Sequence, residues 1–259
     1  MRKETDRNRI EYLSWDRIAA RIENGAAAIL PIGAAAKQHG FHLPLNTDRI
    51  QAEWLAAEIA GRIDALIWPT VIYGYYPAFA EYAGSTGLSE QTFEATIEQI
   101  ASGIAGFGCR ALFVLDTGLS TVGPVERALR RVTAVDALHL RIHDGPRYRL
   151  AAEELVGQNH GSHADELETS LMLALAPARV DMSRAEASPA IAYETPGPLT
   201  PSDPSSPNYS RSGSYGDPTL ATRAKGEILL TALVDDLVER VTAFLEAKSS
   251  EIRRRSAST

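Results

Sequence analysis

Residues Ala28–Ile50 read AILPIGAAAKQHGFHLPLNTDRI. The apolar run Ala28–Ile32 has strand character and breaks at Gly33. A polar loop follows, in which Lys37, His39, His42 and Asp48 fall within twelve positions. A helical pattern then begins at Thr47–Asp48. Open α/β sheets collect their chemistry in loops at the carboxyl ends of parallel strands, and this strand–loop–helix order has that form. Packing alone does not account for two histidines, a lysine and an aspartate in one such loop.

Outward from this stretch, strands and helices alternate. Ser14 opens a helix whose apolar stripe includes Ile18 and Ile22 and which Gly25 ends. After the polar loop a helix is expected to about Arg62, then a strand over Ala65–Tyr73. Gly74–Gly87 is an aromatic loop carrying Tyr75, Tyr76, Phe79, Glu81 and Tyr82. Ser89 and Thr92 open a helix to about Phe107, with Phe93, Ile97, Ile100 and Ile104 at helical spacing. Arg110–Leu115 and Ala134–Ile142 read as the third and fourth strands, with a helix over Val125–Val132 between them. Gln158–His163 is a polar loop, and Ala164–Leu175 a helix ended by Pro177. Ser183–Pro218 is rich in Ser, Pro and Gly, and reads as an arm, lid or covering loop. Ala221–Leu245 is a long helical pattern. The alternation predicts a three-layer α/β/α domain with a mostly parallel central sheet, spanning 1–259 as one unit. The loops Gly33–Thr47, Asp116–Gly123 and Gln158–His163 are expected to meet at one edge of that sheet.

Composition narrows the class. The chain has 259 residues, 44% of them hydrophobic, and a formal net charge of −7. An acidic balance argues against a nucleic-acid partner, whose binders carry a basic footprint. The Arg253–Arg255 cluster reads as a solvated helix end. Cys109, the single cysteine, argues against a disulfide framework and a thiolate metal cluster. The charged segment MRKETDRNRIEYLSW lacks the apolar core of a signal peptide, and no apolar run has the length of a membrane span. A cytoplasmic protein without a membrane partner is expected.

The residues then resemble a known family. Leu30-Pro31-Ile32-Gly33, Lys37-Gln38-His39-Gly40-Phe41-His42-Leu43-Pro44-Leu45 and Thr47-Asp48 are similar to the first motif of the creatininase (creatinine amidohydrolase) superfamily. His163–Pro177 matches a second motif of that family, and Gly216-Asp217-Pro218, Ala221 and Lys225-Gly226 match a third. The resemblance implies a creatininase-like fold, a homo-oligomer, and hydrolysis of C–N bonds in small amides by a site that usually holds two divalent ions. The logic of such a site is that two cations polarise an amide carbonyl and lower the pKa of a bridging water.

The sequence departs from the family at its ligands. Lys37 stands where the resemblance places a ligand Glu, and Gly118 and Ser120 stand where it places two further ligands. Only His39 and Asp48 of that set remain. An ammonium repels a cation and ligates only after losing its proton. The expectation drawn is that no metal and no cofactor is bound, with Lys37 taking over charge once balanced by an ion. Lys37 is then either a structural ion-pair partner in a closed site, or a group that hydrogen-bonds a substrate carbonyl or forms a Schiff base.

The candidate catalytic residues are Lys37, His39, Asp48, His163 and Glu168. His163 reads as a proton carrier whose imidazole tautomer Glu168 fixes. The candidate substrate-binding residues are His42, Glu81, Tyr82, Asp116 and Ser120. His139, His143 and His160 carry no motif and read as structural. The function expected is hydrolysis, or the related cyclisation or dehydration, at a non-peptide amide C–N bond of a small molecule. Two alternatives stand beside it: a non-catalytic homologue serving as a binding or partner subunit, and a metal-dependent amidohydrolase with an altered single-metal site.

Overall fold

The computed structural model describes residues 6–188 and 197–257. Helix α1 (Trp15–Glu23) leads into β1 (Ala27–Ile32), α2 (Thr47–Ala60), β2 (Ala65–Ile67) and α3 (Glu90–Gly106). Then come β3 (Leu112–Asp116), α4 (Val122–Arg131), β4 (Ala137–Arg141), α5 (Pro146–Leu155), α6 (Glu166–Leu175) and α7 (Arg223–Ala257). The four strands form one sheet in the order β2-β1-β3-β4, and every pairing is parallel. This is the three-layer α/β/α arrangement that the alternation predicts.

The period of two along each strand explains the layers. Ile29, Phe113, Leu115 and Leu140 face one core, closed by Leu55 and Ile59 of α2, Leu171 of α6, and Leu229, Leu233 and Leu237 of α7. Ala28, Leu30, Leu112 and Val114 face the other, closed by Ile22, Phe93, Ile97 and Val125 of α1, α3 and α4. Both faces being covered, β1 and β3 are buried along their whole length and read as unbroken apolar runs. Each fully buried Leu, Ile or Phe contributes about 1.5–3 kcal/mol.

Three boundaries differ from expectation for local reasons. β2 stops at Ile67 rather than running on to Tyr73, because Pro69 has no N–H for the ladder; the chain rejoins β1 only at a single bridge between Ile32 and Val71. Helix α4 begins at Val122, since Pro124 in a first turn loses no intrahelical hydrogen bond. Helix α5 carries an apolar face too thin to announce itself: of its residues only Tyr148 is buried.

The sheet edge that matters is set by register. Ile32, the last residue of β1, pairs with Asp116, the last of β3, and Asp116 pairs with Arg141, the last of β4. The loops leaving these strands therefore start side by side. The described part of the Ser/Pro-rich segment lies over the first of them. The Tyr82 hydroxyl donates to the Ser210 carbonyl (2.7 Å) and the Gln38 amide to the Gly213 carbonyl (2.8 Å). Residues 189–196 of that segment fall outside the described residues.

Candidate active site

The loop after β1 is built around two glycines. A Cβ on Gly33 would stand 2.6 Å from the Asp48 carbonyl oxygen and 2.8 Å from Ala52 Cβ. Only glycine lets the first turn of α2 close against the end of β1, which brings Asp48 to the strand edge. Gly40 has φ +69°, and a Cβ there would collide with the His42 ring and Ser214 Oγ. The left-handed turn at Gly40 reverses the chain, so that Lys37 and His39 point back toward Asp48.

Lys37 Nζ lies 2.7 Å from Asp48 Oδ2, and His39 Nε2 lies 3.0 Å from Asp48 Oδ1. Burial by itself would raise the Asp48 carboxyl, but Lys37 and then His39 outweigh burial and hold it well below the usual carboxylate range. Lys37 also stands 5.3 Å from the centroid of the Phe79 ring, a cation–π contact. The Phe79 ring stacks at 4.1 Å on His163.

α6 supplies the opposite side. Asp165 caps its N-terminus, accepting from the Leu167 and Glu168 backbone N–H groups. Ala164, just before the cap, has φ +46°, the one described non-glycine residue with positive φ. In that turn the Ala164 N–H donates to Glu168 Oε2 at 2.7 Å. Glu168 Oε1 accepts from Gln51 (3.3 Å) and stands 3.7 Å from His39 Nε2; Oε2 stands 3.8 Å from His163 Nδ1.

The two histidines share one arrangement. His39 Nδ1 is 2.8 Å from the Lys37 carbonyl, and His163 Nε2 is 2.9 Å from the Gln38 carbonyl. His163 Nε2 also lies 3.2 Å from the Gln38 side-chain amide nitrogen, so Gln38 holds this ring from both its carbonyl and its amide. The inner nitrogens differ: His39 Nε2 is bonded to Asp48 Oδ1 at 3.0 Å with Glu168 beyond it at 3.7 Å, while His163 Nδ1 faces Glu168 at 3.8 Å, outside hydrogen-bond reach. Burial, with His39 and Lys37 behind it, keeps His163 well below its ordinary pKa, so it stays neutral.

These groups, except His39, which is fully buried behind the wall, border a cavity of about 390 Å³, within the range of small-ligand sites. Lys37, Asp48, His163, Glu168 and Ser120 line it, as do Tyr75 and Tyr76. Four expected substrate contacts lie off the lining. His42 is buried, bonds Thr169 Oγ1 at 2.7 Å, and is pushed down to about 4 by burial and then by His39. Tyr82 is tied to Ser210, and Glu81 is exposed. Asp116 is used up in shaping its own loop: Oδ1 accepts from Gly118 N–H and Thr121 Oγ1, and Oδ2 meets His139 Nε2 at 3.1 Å. Sequence reasoning missed His143, Gln51 and Tyr148, all lining the cavity. His143 follows β4 at the same sheet edge, which is the signal that would have found it; burial lowers its pKa.

A metal ion is thereby tested against this donor set. His39, His163 and Glu168 each offer one donor atom, all within 4.8 Å of one another. Backbone carbonyls hold the far side of each imidazole, the usual outer support of a ligating histidine. Two imidazoles and a carboxylate with an open fourth position are the donors of a catalytic divalent ion. One ion fits.

The class of site is a small-ligand pocket at the carboxyl edge of a parallel α/β sheet, with three converging metal-type donors. The family description "Creatinine amidohydrolase" matches residues 11–241, and the chain belongs to the creatininase family. It is 27% identical over 249 residues to the creatinine amidohydrolase of Pseudomonas putida, covering 88% of this chain and 94% of that protein. It is 28% identical over 232 residues to a mycofactocin precursor peptide peptidase of Mycobacterium tuberculosis, covering 84% and 85%. The solved structure "Creatininase Mn" superposes with a TM-score of 0.81 at 25% identity, covering 90% of this chain and 97% of that one.

These findings overturn the expectation of no metal and no cofactor. The similar creatininase structures are an Mn form and a Zn-Zn type, and this chain keeps a His39–His163–Glu168 donor set. Position by position, only His39 and Asp48 match the ligands the resemblance implies, whereas the fold brings Glu168 and His163 around His39. One relative is named as a creatinine amidohydrolase and another as a peptidase, and hydrolysis of an amide C–N bond is what those two names share. Among the described residues no helix is long and apolar enough to cross a membrane.

Proposed function

We propose that the protein is a metal-dependent amidohydrolase that cleaves an amide C–N bond of a compact substrate in the 390 Å³ cavity, with one divalent ion held by His39, His163 and Glu168. The observation that supports this reading is a convergence of donors: His39, His163 and Glu168 each offer one ligand atom, all within 4.8 Å of one another, and a backbone carbonyl stands behind each imidazole. When bound, such an ion supplies Lewis acidity and a water of lowered pKa.

The chain's own residues do the rest. Asp48 holds the Lys37 ammonium at the cavity wall, 2.7 Å away. From there Nζ donates a hydrogen bond to the carbonyl oxygen of the substrate amide, and more strongly as negative charge builds on it. His143 is the lining imidazole outside the ion's ligand set. It takes the proton of the attacking water and returns it to the leaving nitrogen. Tyr75, Tyr76 and Phe79 enclose the substrate and exclude water.

The test is to load the purified protein with Mn or Zn and offer a panel of cyclic and linear amides, creatinine among them, following ring opening or the released amine by NMR. Turnover that is abolished by chelation and restored by metal supports the reading. Metal-loaded protein that turns over no amide in the panel, or turnover that survives chelation, contradicts it.

A further inference from the structure

We propose that Lys37 is a built-in cation occupying what would otherwise be a second ion position, so that the cavity accepts one divalent ion per chain and no more. This rests on the proposed function, because it takes an ion at His39, His163 and Glu168 as its starting point.

Asp165, Asp48 and Glu168 line the cavity; Asp165 is spent on capping α6, and the other two leave two places where positive charge can sit. One lies among His39 Nε2, His163 Nδ1 and Glu168. The other lies on the far side of Asp48, where Oδ2 is met by Lys37 Nζ at 2.7 Å. Asp48 Oδ1 faces the first place through His39, and Oδ2 faces the second. The ammonium therefore stands at the anion that two neighbouring ions would share.

Donor counting agrees. A catalytic divalent ion takes about three protein ligands. Around Lys37, the cavity wall on the β3 side is the Thr117–Thr121 loop, and none of it offers a carboxylate or an imidazole. Gly118 has no side chain. Ser120 Oγ donates to the Tyr75 carbonyl at 2.6 Å, and Thr117 Oγ1 to the Ile32 carbonyl at 3.1 Å. Leu119, at the loop tip, is apolar and 64% exposed. Among the described residues Asp48 is the carboxylate paired with Lys37, and both its oxygens are already engaged.

Charge points the same way. Lys37 already sets one positive charge against Asp48. A second divalent ion beside it would add two more at the same carboxylate. At such separations like charges repel strongly at the effective dielectric of a partly buried site.

The experiment is a manganese titration of the intact, metal-stripped protein, read by elemental analysis of the dialysed complex and by Mn(II) EPR. One ion per chain with the six-line spectrum of an isolated Mn(II) is expected. Two ions per chain with a spin-coupled spectrum overturns this inference and leaves the proposed function standing. No bound ion at saturating Mn or Zn overturns both.

Lys37→Glu then tests the lysine itself. It sets a second carboxylate beside Asp48 Oδ2, and uptake of a further ion at excess Mn is expected. Uptake unchanged at one ion, with unchanged affinity, removes Lys37 as the excluding charge. Lys37→Met, which keeps the length of the side chain, covers the case in which the glutamate does not fold. Its single ion is expected to bind at least ~10-fold tighter, because Asp48 is released and a nearby like charge is gone. An affinity equal to that of the unsubstituted protein overturns the assignment.

Discussion

Glu166 and Glu168 lie two residues apart in the first turn of α6, yet they are used in opposite ways. Glu166 is fully buried and saturated. Its Oε2 accepts from the Gly157 and Gln158 N–H groups, each at 2.8 Å, and its Oε1 takes the Lys225 ammonium. Next to it, Gly226 lets α7 cross α6 in backbone contact, for a Cβ there would sit 1.9 Å from the Ser170 carbonyl. This cluster has no room for a ligand and lies outside the cavity lining. Glu168 accepts from Gln51 and Ala164, and beyond those bonds its oxygens stand 3.7 Å from His39 Nε2 and 3.8 Å from His163 Nδ1, too far to bond either. A carboxylate that closes its own hydrogen bonds holds a fold together. One that shares a gap with two imidazoles leaves space for an ion between them.

The contrast breaks if the two clusters respond alike to substitution. The largest effect is expected at the gap. His163→Ala removes one of three ligands, so metal content should fall to a trace and amide turnover by more than about 10³-fold, several kcal/mol of transition-state stabilisation. Elemental analysis and the thermal melt should separate: metal goes, while most of the stability of the metal-free protein stays.

At the saturated cluster the opposite is expected. Lys225→Met leaves the Glu166 carboxylate buried without its cation, at a cost of about 3 kcal/mol. Denaturant unfolding should show that loss while metal content per folded chain is unchanged. If Lys225→Met empties the metal site, the two clusters are one unit and the comparison is wrong.

The sequence motifs placed both clusters in advance but did not tell them apart. The alternation of apolar strands with amphipathic helices is a strong periodic signal, so the layers and the parallel sheet were legible. Gly33, Gly40 and the His39–Asp48 spacing made the first loop legible as a site. What stayed hidden depends on distance between loops. His39 and His163 are far apart in the chain, and their joint orientation is set by the Lys37 and Gln38 carbonyls, which no side-chain pattern reveals. Asp116 looked like a ligand-binding residue because a carboxylate at a strand end is ambiguous. Only the bonds to Gly118, Thr121 and His139 show that it shapes its own loop. His143 belonged to no motif, and helix α5 beside it buries too little to be seen.

His143 sharpens the comparison on the catalytic side. His143→Asn should lower kcat by about 10²-fold while the metal content stays at the level of the unsubstituted protein. The pH profile gives an independent check. Burial lowers the His143 pKa from its ordinary 6.5, so the imidazole stays neutral, and able to accept a proton, to lower pH than a free one. The acid limb of kcat should therefore have its midpoint below pH 6.5. A limb centred above that value assigns the proton transfer to a different group.

The smallest effect concerns the turn that aims Glu168. Ala164 at φ +46° is strained for an L-residue, and Ala164→Gly relieves about 1 kcal/mol. A small gain in melting temperature is expected, with metal affinity unchanged, because the Ala164 N–H bond to Glu168 is a backbone bond.

The central claim is that a metal ion belongs at His39, His163 and Glu168. An anomalous difference map from crystals of the Mn-loaded protein, recorded above the manganese edge, tests it most directly. The expected result is one peak per chain at about 2.0–2.2 Å from His39 Nε2, His163 Nδ1 and a Glu168 oxygen, with Lys37 still paired to Asp48. A map with no peak in the cavity, or with its peak away from these three atoms, contradicts the account.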